Sequence, residues 1–119
     1  MRAVVYFAST RALAVLEVLV NLPKGLLPKN YCMETFEVDT EFAEFNPDDL
    51  PEKWQVYPLL KRTQLMGNLF FKQNDFLLLK VPSASVNGDF NYVANPFHLA
   101  VKDIKLLEKV KFSFDDRLL

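Results

Sequence analysis

The chain has 119 residues, half of them hydrophobic and eleven of them phenylalanine, enough for one domain with a real core and apolar surface left over for an interface. Its net charge of −1 covers an asymmetry: Glu34 to Glu52 holds eight acids and no Lys or Arg, while the remainder holds seven acids against 14 basic residues. The acidic flank reads either as a solvated edge or as a partner to basic protein, and the lack of a basic stripe argues against direct binding to DNA or RNA.

The single Cys32 excludes an internal disulfide framework and fits a reducing compartment. The chain shows neither a basic-then-apolar leader nor an apolar run of membrane-spanning length, so a cytoplasmic protein is expected.

In chain order, residues 3–8 (Ala-Val-Val-Tyr-Phe-Ala) have strong strand propensity. Ser9 or Thr10 can cap a helix from Arg11 to about Asn21, ended by Pro23 and Gly25. That helix is apolar nearly all round, which predicts burial on every side. Its narrow polar or small stripe, Thr10, Ala14, Glu17 and Asn21, is either a solvent face or the wall of a pocket. Residues 31–42 alternate imperfectly, with Phe36, Val38 and Phe42 on one parity, as an edge strand would. Asn46-Pro47-Asp48-Asp49 is a turn, and Trp54 reads as a packing anchor.

Thr63 to Lys72 predicts a short helix with Leu65, Met66, Leu69 and Phe70 inward. Gly67 inside it points to a close backbone approach. Phe76-Leu77-Leu78-Leu79 has the density of a strand buried on both faces. Pro82 cannot donate to a ladder, so the chain is expected to leave the sheet there and enter a polar loop. That loop carries Ser83, Ser85, Asn87, Gly88, Asp89, Asn91, Asn95 and the lone His98. Leu99 to Val110 is mixed, with lysines 102, 105, 109 and 111 facing solvent, and Phe112-Ser113-Phe114 predicts a short strand. The elements together read as α+β with a mainly antiparallel or split sheet.

Several familiar chemistries lack their residues. Gly25, Gly67 and Gly88 are scattered and form no phosphate loop. One Cys and one His do not make the usual zinc site, and no metal is expected. A Cys32–His98 pair competes with the plainer reading of Cys32 as a small apolar strand residue. A Ser83–His98 triad lacks the strained Gly-x-Ser-x-Gly turn. Tyr6, Glu17, Ser83 and Asn95 remain: an aromatic face, a carboxylate, a hydroxyl and an amide, suited to holding a nucleotide. A fixed carboxylate can stabilise the oxocarbenium-like ribose through which an N-glycosidic bond is cleaved.

Runs spread along the chain resemble one family. They are Val4-Val5-Tyr6-Phe7-Ala8-Ser9-Thr10 with Ala12-Leu13-Ala14-Val15-Leu16-Glu17-Val18-Leu19-Val20, then Leu50-Pro51-x-x-Trp54 and Met66-Gly67-Asn68. Val81-Pro82-Ser83-Ala84, Asn91-Tyr92-x-x-Asn95-Pro96-x-His98 and Phe112-x-Phe114-Asp115-x-Arg117-Leu118 continue them in order. Together they resemble the RES domain, over nearly the whole of residues 1–119.

The resemblance implies an ADP-ribosyltransferase-like fold, a split or mixed β-sheet with short flanking helices. It also implies a toxin of a bacterial toxin–antitoxin pair that degrades NAD+ as a phosphorylase or glycohydrolase. Phosphate would then be a co-substrate, no cofactor is needed, and an Xre-type helix-turn-helix antitoxin is the partner. Homo-oligomers, and ADP-ribosylation of a protein target, are further options. By motif, Tyr6, Glu17 and Ser83 match the catalytic tyrosine, glutamate and serine, and Asn95, Asn91 and His98 match positions near the substrate. The family also carries a Gly-Arg-Trp-Asn type motif upstream of the tyrosine. Only five residues precede Tyr6 here, and Arg2 does not match that motif's arginine. The resemblance therefore implies a domain short at its N-terminus, with either reduced catalysis or antitoxin binding alone, because a diphosphate would lose a bidentate partner.

Overall fold

The computed structural model describes residues 5–22, 29–44 and 61–118, and the side chains of all these except 61–66. The expected turn at 46–49, the Leu50-Pro51 step, Trp54, the helix-ending Pro23 and Gly25, the Leu65 and Met66 side chains and the first residues of the N-terminal strand lie outside that description.

Strand β1 (Val5–Ala8) leads directly into helix α1 (Arg11–Leu19). Thr10 caps the helix: its backbone is extended and its hydroxyl accepts the Leu13 N–H at 3.1 Å, satisfying one of the amides a helix start leaves without a partner. The expectation of a helix buried all round fails. Leu13 alone is fully buried, while Leu16 is 40% and Val20 60% exposed. A helix packed against one sheet has one inward stripe, whatever residues occupy its other sides.

Next come β2 (Tyr31–Glu37), β3 (Phe42–Glu44), helix α2 (Lys61–Gln73), β4 (Leu78–Pro82), β5 (Phe90–Ala94), a 3-10 turn at Leu99–Asp103 and β6 (Lys105–Phe112). A four-stranded sheet runs in the order β1-β5-β4-β3, with β3 parallel to β4 and the other pairs antiparallel. A separate antiparallel ribbon pairs β2 with β6, and its register shifts between Thr35 and Phe36. The fold is therefore α+β with a split, mixed sheet. Among the described residues no helix is long and apolar enough to cross a membrane.

Three local expectations need correction. The segment Phe90–Ala94, read as loop because of its amides, is a strand hydrogen-bonded on both sides, to β1 and to β4. Two ladders satisfy its backbone, so the weak strand preference of asparagine is overridden and Asn91 projects its amide out of the sheet. Lys105–Phe112 is one continuous strand, not a mixed segment, and Ser113-Phe114 lie past its end. Phe114 is buried and meets the rings of Phe112 and Tyr31 edge-on, with centroids 4.9 and 5.6 Å away. Cys32, expected to pack as an apolar residue, is exposed on β2.

The leucine run at the start of β4 behaves as its density predicts. Leu79 joins Val93 with Phe70 and Phe71 of α2 on one face. Leu77 and Leu78 join Ala94, backed by Phe7, Tyr92 and Ile104, on the other. Each such leucine contributes about 1.5–3 kcal/mol by leaving water. Among the described residues, a Cβ placed on Gly67, in the middle of α2, would meet nothing within 4 Å, so none of them makes the close approach expected there. Gly67→Ala is accordingly expected to stabilise the protein by about 0.5–1 kcal/mol, seen as a higher urea midpoint at unchanged slope. A lower midpoint would refute this.

Candidate active site

The site forms where β4 stops. Pro82 is the last residue of the strand, opposite Phe90, and the next backbone amide, that of Ser83, donates to Asp89 O at 2.8 Å. This closes a short turn, in which Asp89 N donates to Val86 O and Gly88 takes φ +95°, a conformation that side chains disfavour. Inside the turn the Ser83 hydroxyl, on a residue 2% exposed, accepts the N–H groups of Ser85 and Val86, each at 3.1 Å. It donates to Oε1 of Glu17 at 2.8 Å.

A second donor comes from the neighbouring strand. Asn91 lies in register with Ala8 of β1 and Val81 of β4, and its Nδ2 donates to the same Oε1 at 3.1 Å. Two elements distant in sequence thus hold the Glu17 carboxylate of α1. Among the described residues no hydrogen bond or ion pair engages Oε2. In the Thr10–Ala14–Glu17–Asn21 stripe, Glu17 is not a plain solvent-facing carboxylate: it is half-buried and turned toward the β4–β5 hairpin. Thr10 serves as the cap, and exposed Asn21 donates to the Glu17 carbonyl at 2.9 Å.

Tyr6 is opposite Val93, two positions along from the Ala8–Asn91 pair, so it shares a sheet face with Asn91. That diagonal spacing is about 7–8 Å, within reach of a common ligand. Tyr6 is 67% exposed, so its side chain can take a stacking partner.

Asn95 and His98 hold partners outside this cluster. Asn95 is 1% exposed; its Nδ2 donates to Asn74 Oδ1 at 2.7 Å and its Oδ1 accepts the Phe97 N–H at 3.1 Å. His98 caps the following 3-10 turn, with Nδ1 accepting the Ala100 N–H at 3.0 Å. Sequence reasoning overlooked Asn74, which sits at φ 53° just after α2. An asparagine following a helix is the usual non-glycine choice for that left-handed position, so the signal was present. Near the C-terminus, Arg117 forks onto Asp115 at 2.7 and 3.0 Å and holds that exposed carboxyl below its ordinary range.

The RES domain pattern matches residues 1–115. A protein of Sphingobium named Prs ADP-ribosylating toxin is 36% identical over 98% of this chain and 75% of its own length. Proteins named Toxin Res from Pseudomonas putida and Yersinia enterocolitica are 34% and 29% identical, each over 98% of this chain and over 80% and 78% of their own lengths. With the family pattern spanning nearly all of its residues, the chain belongs to the RES domain family.

Proposed function

We propose that the protein is the toxin of a toxin–antitoxin pair and acts on NAD+, breaking the bond between nicotinamide and ribose. The observation that carries this reading is the Glu17 carboxylate, held at Oε1 by Ser83 and Asn91, with no partner at Oε2 among the described residues. Nicotinamide leaves NAD+ with the electron pair of the glycosidic bond. Because the departing ring is cationic before cleavage and neutral after it, no general acid is required. Positive charge develops on the ribose, where a pre-oriented carboxylate is worth far more than one that must reorganise. Tyr6, exposed on the same sheet face, supplies a stacking surface for the base or its ribose. Inorganic phosphate or water then forms the new bond to the anomeric carbon, and no cofactor takes part. Asn95 and His98 support the substrate through the backbone they hold.

The relatives named Toxin Res support the toxin role, and an Xre-type helix-turn-helix antitoxin is the proposed partner. Exposed Phe97 and Leu99 offer apolar surface for a protein contact. A second reading, transfer of ADP-ribose to a protein, is favoured by the name of the Sphingobium relative.

The test is to incubate the purified protein with NAD+ in phosphate and in phosphate-free buffer and to follow nicotinamide release. The expected result is NAD+ loss, with phosphorylated ADP-ribose as product in phosphate and ADP-ribose without it. Label from NAD+ accumulating on protein would establish the second reading in its place, and undiminished NAD+ would overturn both.

A further inference from the structure

We infer that Ser83 and Asn91 are positioning residues: they immobilise one oxygen of Glu17 and thereby fix the other as the atom that meets the ribose. The inference rests on the functional reading above and assigns roles within that site. It begins with the bonding capacity of a hydroxyl, which has one proton and two lone pairs. The Ser85 and Val86 amides occupy both lone pairs of Ser83, and its proton goes to Glu17. Nothing is left with which Ser83 could attack a carbon or donate to a ligand, and its burial agrees. Its motif position beside the site is explained by the carboxylate it holds.

Asn91 completes the arrangement. Its Nδ2 and the Ser83 hydroxyl converge on the same atom, Oε1, from different sides of the β4–β5 hairpin. Two donors on one oxygen fix the rotation of the carboxylate about its last bond, which one donor would leave free. The consequence is asymmetry. Oε1 is occupied by two hydrogen bonds, whereas Oε2, without a partner among the described residues, keeps its capacity to face a developing positive charge.

Two measurements test this. In nitrogen-edited NMR spectra, the Asn91 side-chain amide is expected to shift when Glu17 is replaced by Ala; an unmoved resonance would overturn the inference whether or not the protein consumes NAD+. In the NAD+ assay, Asn91→Leu is expected to lower kcat about tenfold or more while KM changes by less than about twofold, the signature of an interaction realised in the transition state. Asn91→Ser, which cannot overpack the sheet, is expected to show the same split if the leucine variant folds poorly. In a Glu17→Ala background neither substitution should lower the residual rate further. A raised KM with unchanged kcat, or additive losses, would overturn the inference by making Asn91 a direct substrate contact. An inactive wild type would instead refute the functional reading, leaving the spectral shift to decide whether Asn91 holds Glu17.

Discussion

Glu17→Gln is expected to slow NAD+ consumption by about a hundred- to a thousandfold, the range seen when one preorganised group is removed from a developing charge. The substitution is informative because of the hydrogen bonds around it. Glutamine keeps a carbonyl oxygen that can still accept from Ser83 and Asn91, so the hairpin contacts at 2.8 and 3.1 Å have no reason to break. What disappears is the negative charge, and Oε2 becomes an NH2 group that repels a cationic ribose. The variant should therefore fold like wild type, with an unchanged melting temperature, and bind NAD+ with similar affinity. An activity loss of less than about threefold would show that the carboxylate does not stabilise the reacting centre.

Asn95→Ala is expected to have the largest effect on stability, a loss of about 2–3 kcal/mol that combines a buried group left without its partner and a small cavity. Asn95 is 1% exposed and links three places at once. Its amide nitrogen holds Asn74 beyond α2, its carbonyl holds Phe97, and its backbone N–H donates to Leu77 O at 2.9 Å. Removing the side chain leaves the Phe97 amide without its acceptor and loosens the connection between the end of α2 and the end of β5. A melting temperature roughly 10 °C lower would be the readout for a chain of this size. Catalytic constants of the remaining folded fraction should change far less than with Glu17→Gln. A drop in kcat as large as that of Glu17→Gln, with unaltered stability, would place Asn95 at the substrate after all.

The parts of this structure that could be read from sequence are those where local chemistry and tertiary context agree. Thr10 caps its helix, Leu77 to Leu79 fill both faces of the sheet, and Pro82 ends its strand, each for a reason carried by the residue itself. The errors arose where context overruled local preference. Phe90–Ala94 looks like a loop until β1 and β4 are known to flank it. An all-apolar α1 looks buried until it is known to pack on one sheet. Within the site, motif positions identified Glu17, Ser83 and Asn91, but no spacing could show that two donors share Oε1. The partners of Asn95 and His98 were equally invisible, because an amide or imidazole in a polar segment has the same composition whether it faces a ligand or a backbone amide.

The two hydrogen bonds on Glu17 span 66 and 74 residues of chain. At ribosomal speeds of about 5–20 residues per second, roughly 4–15 seconds separate the synthesis of Glu17 from that of Asn91. Until Ser83 is made the carboxylate has neither of its anchors, and until Asn91 is made it lacks the second. Folding of α1 on β1 alone, a contact made early and nearby, cannot assemble the site. On the proposed reading, a nascent chain would not act on NAD+ until the β4–β5 hairpin has been made and has left the ribosome. For a protein whose proposed activity would harm its host, this ordering would give an antitoxin already present in the cell time to meet the chain before the proposed site is assembled.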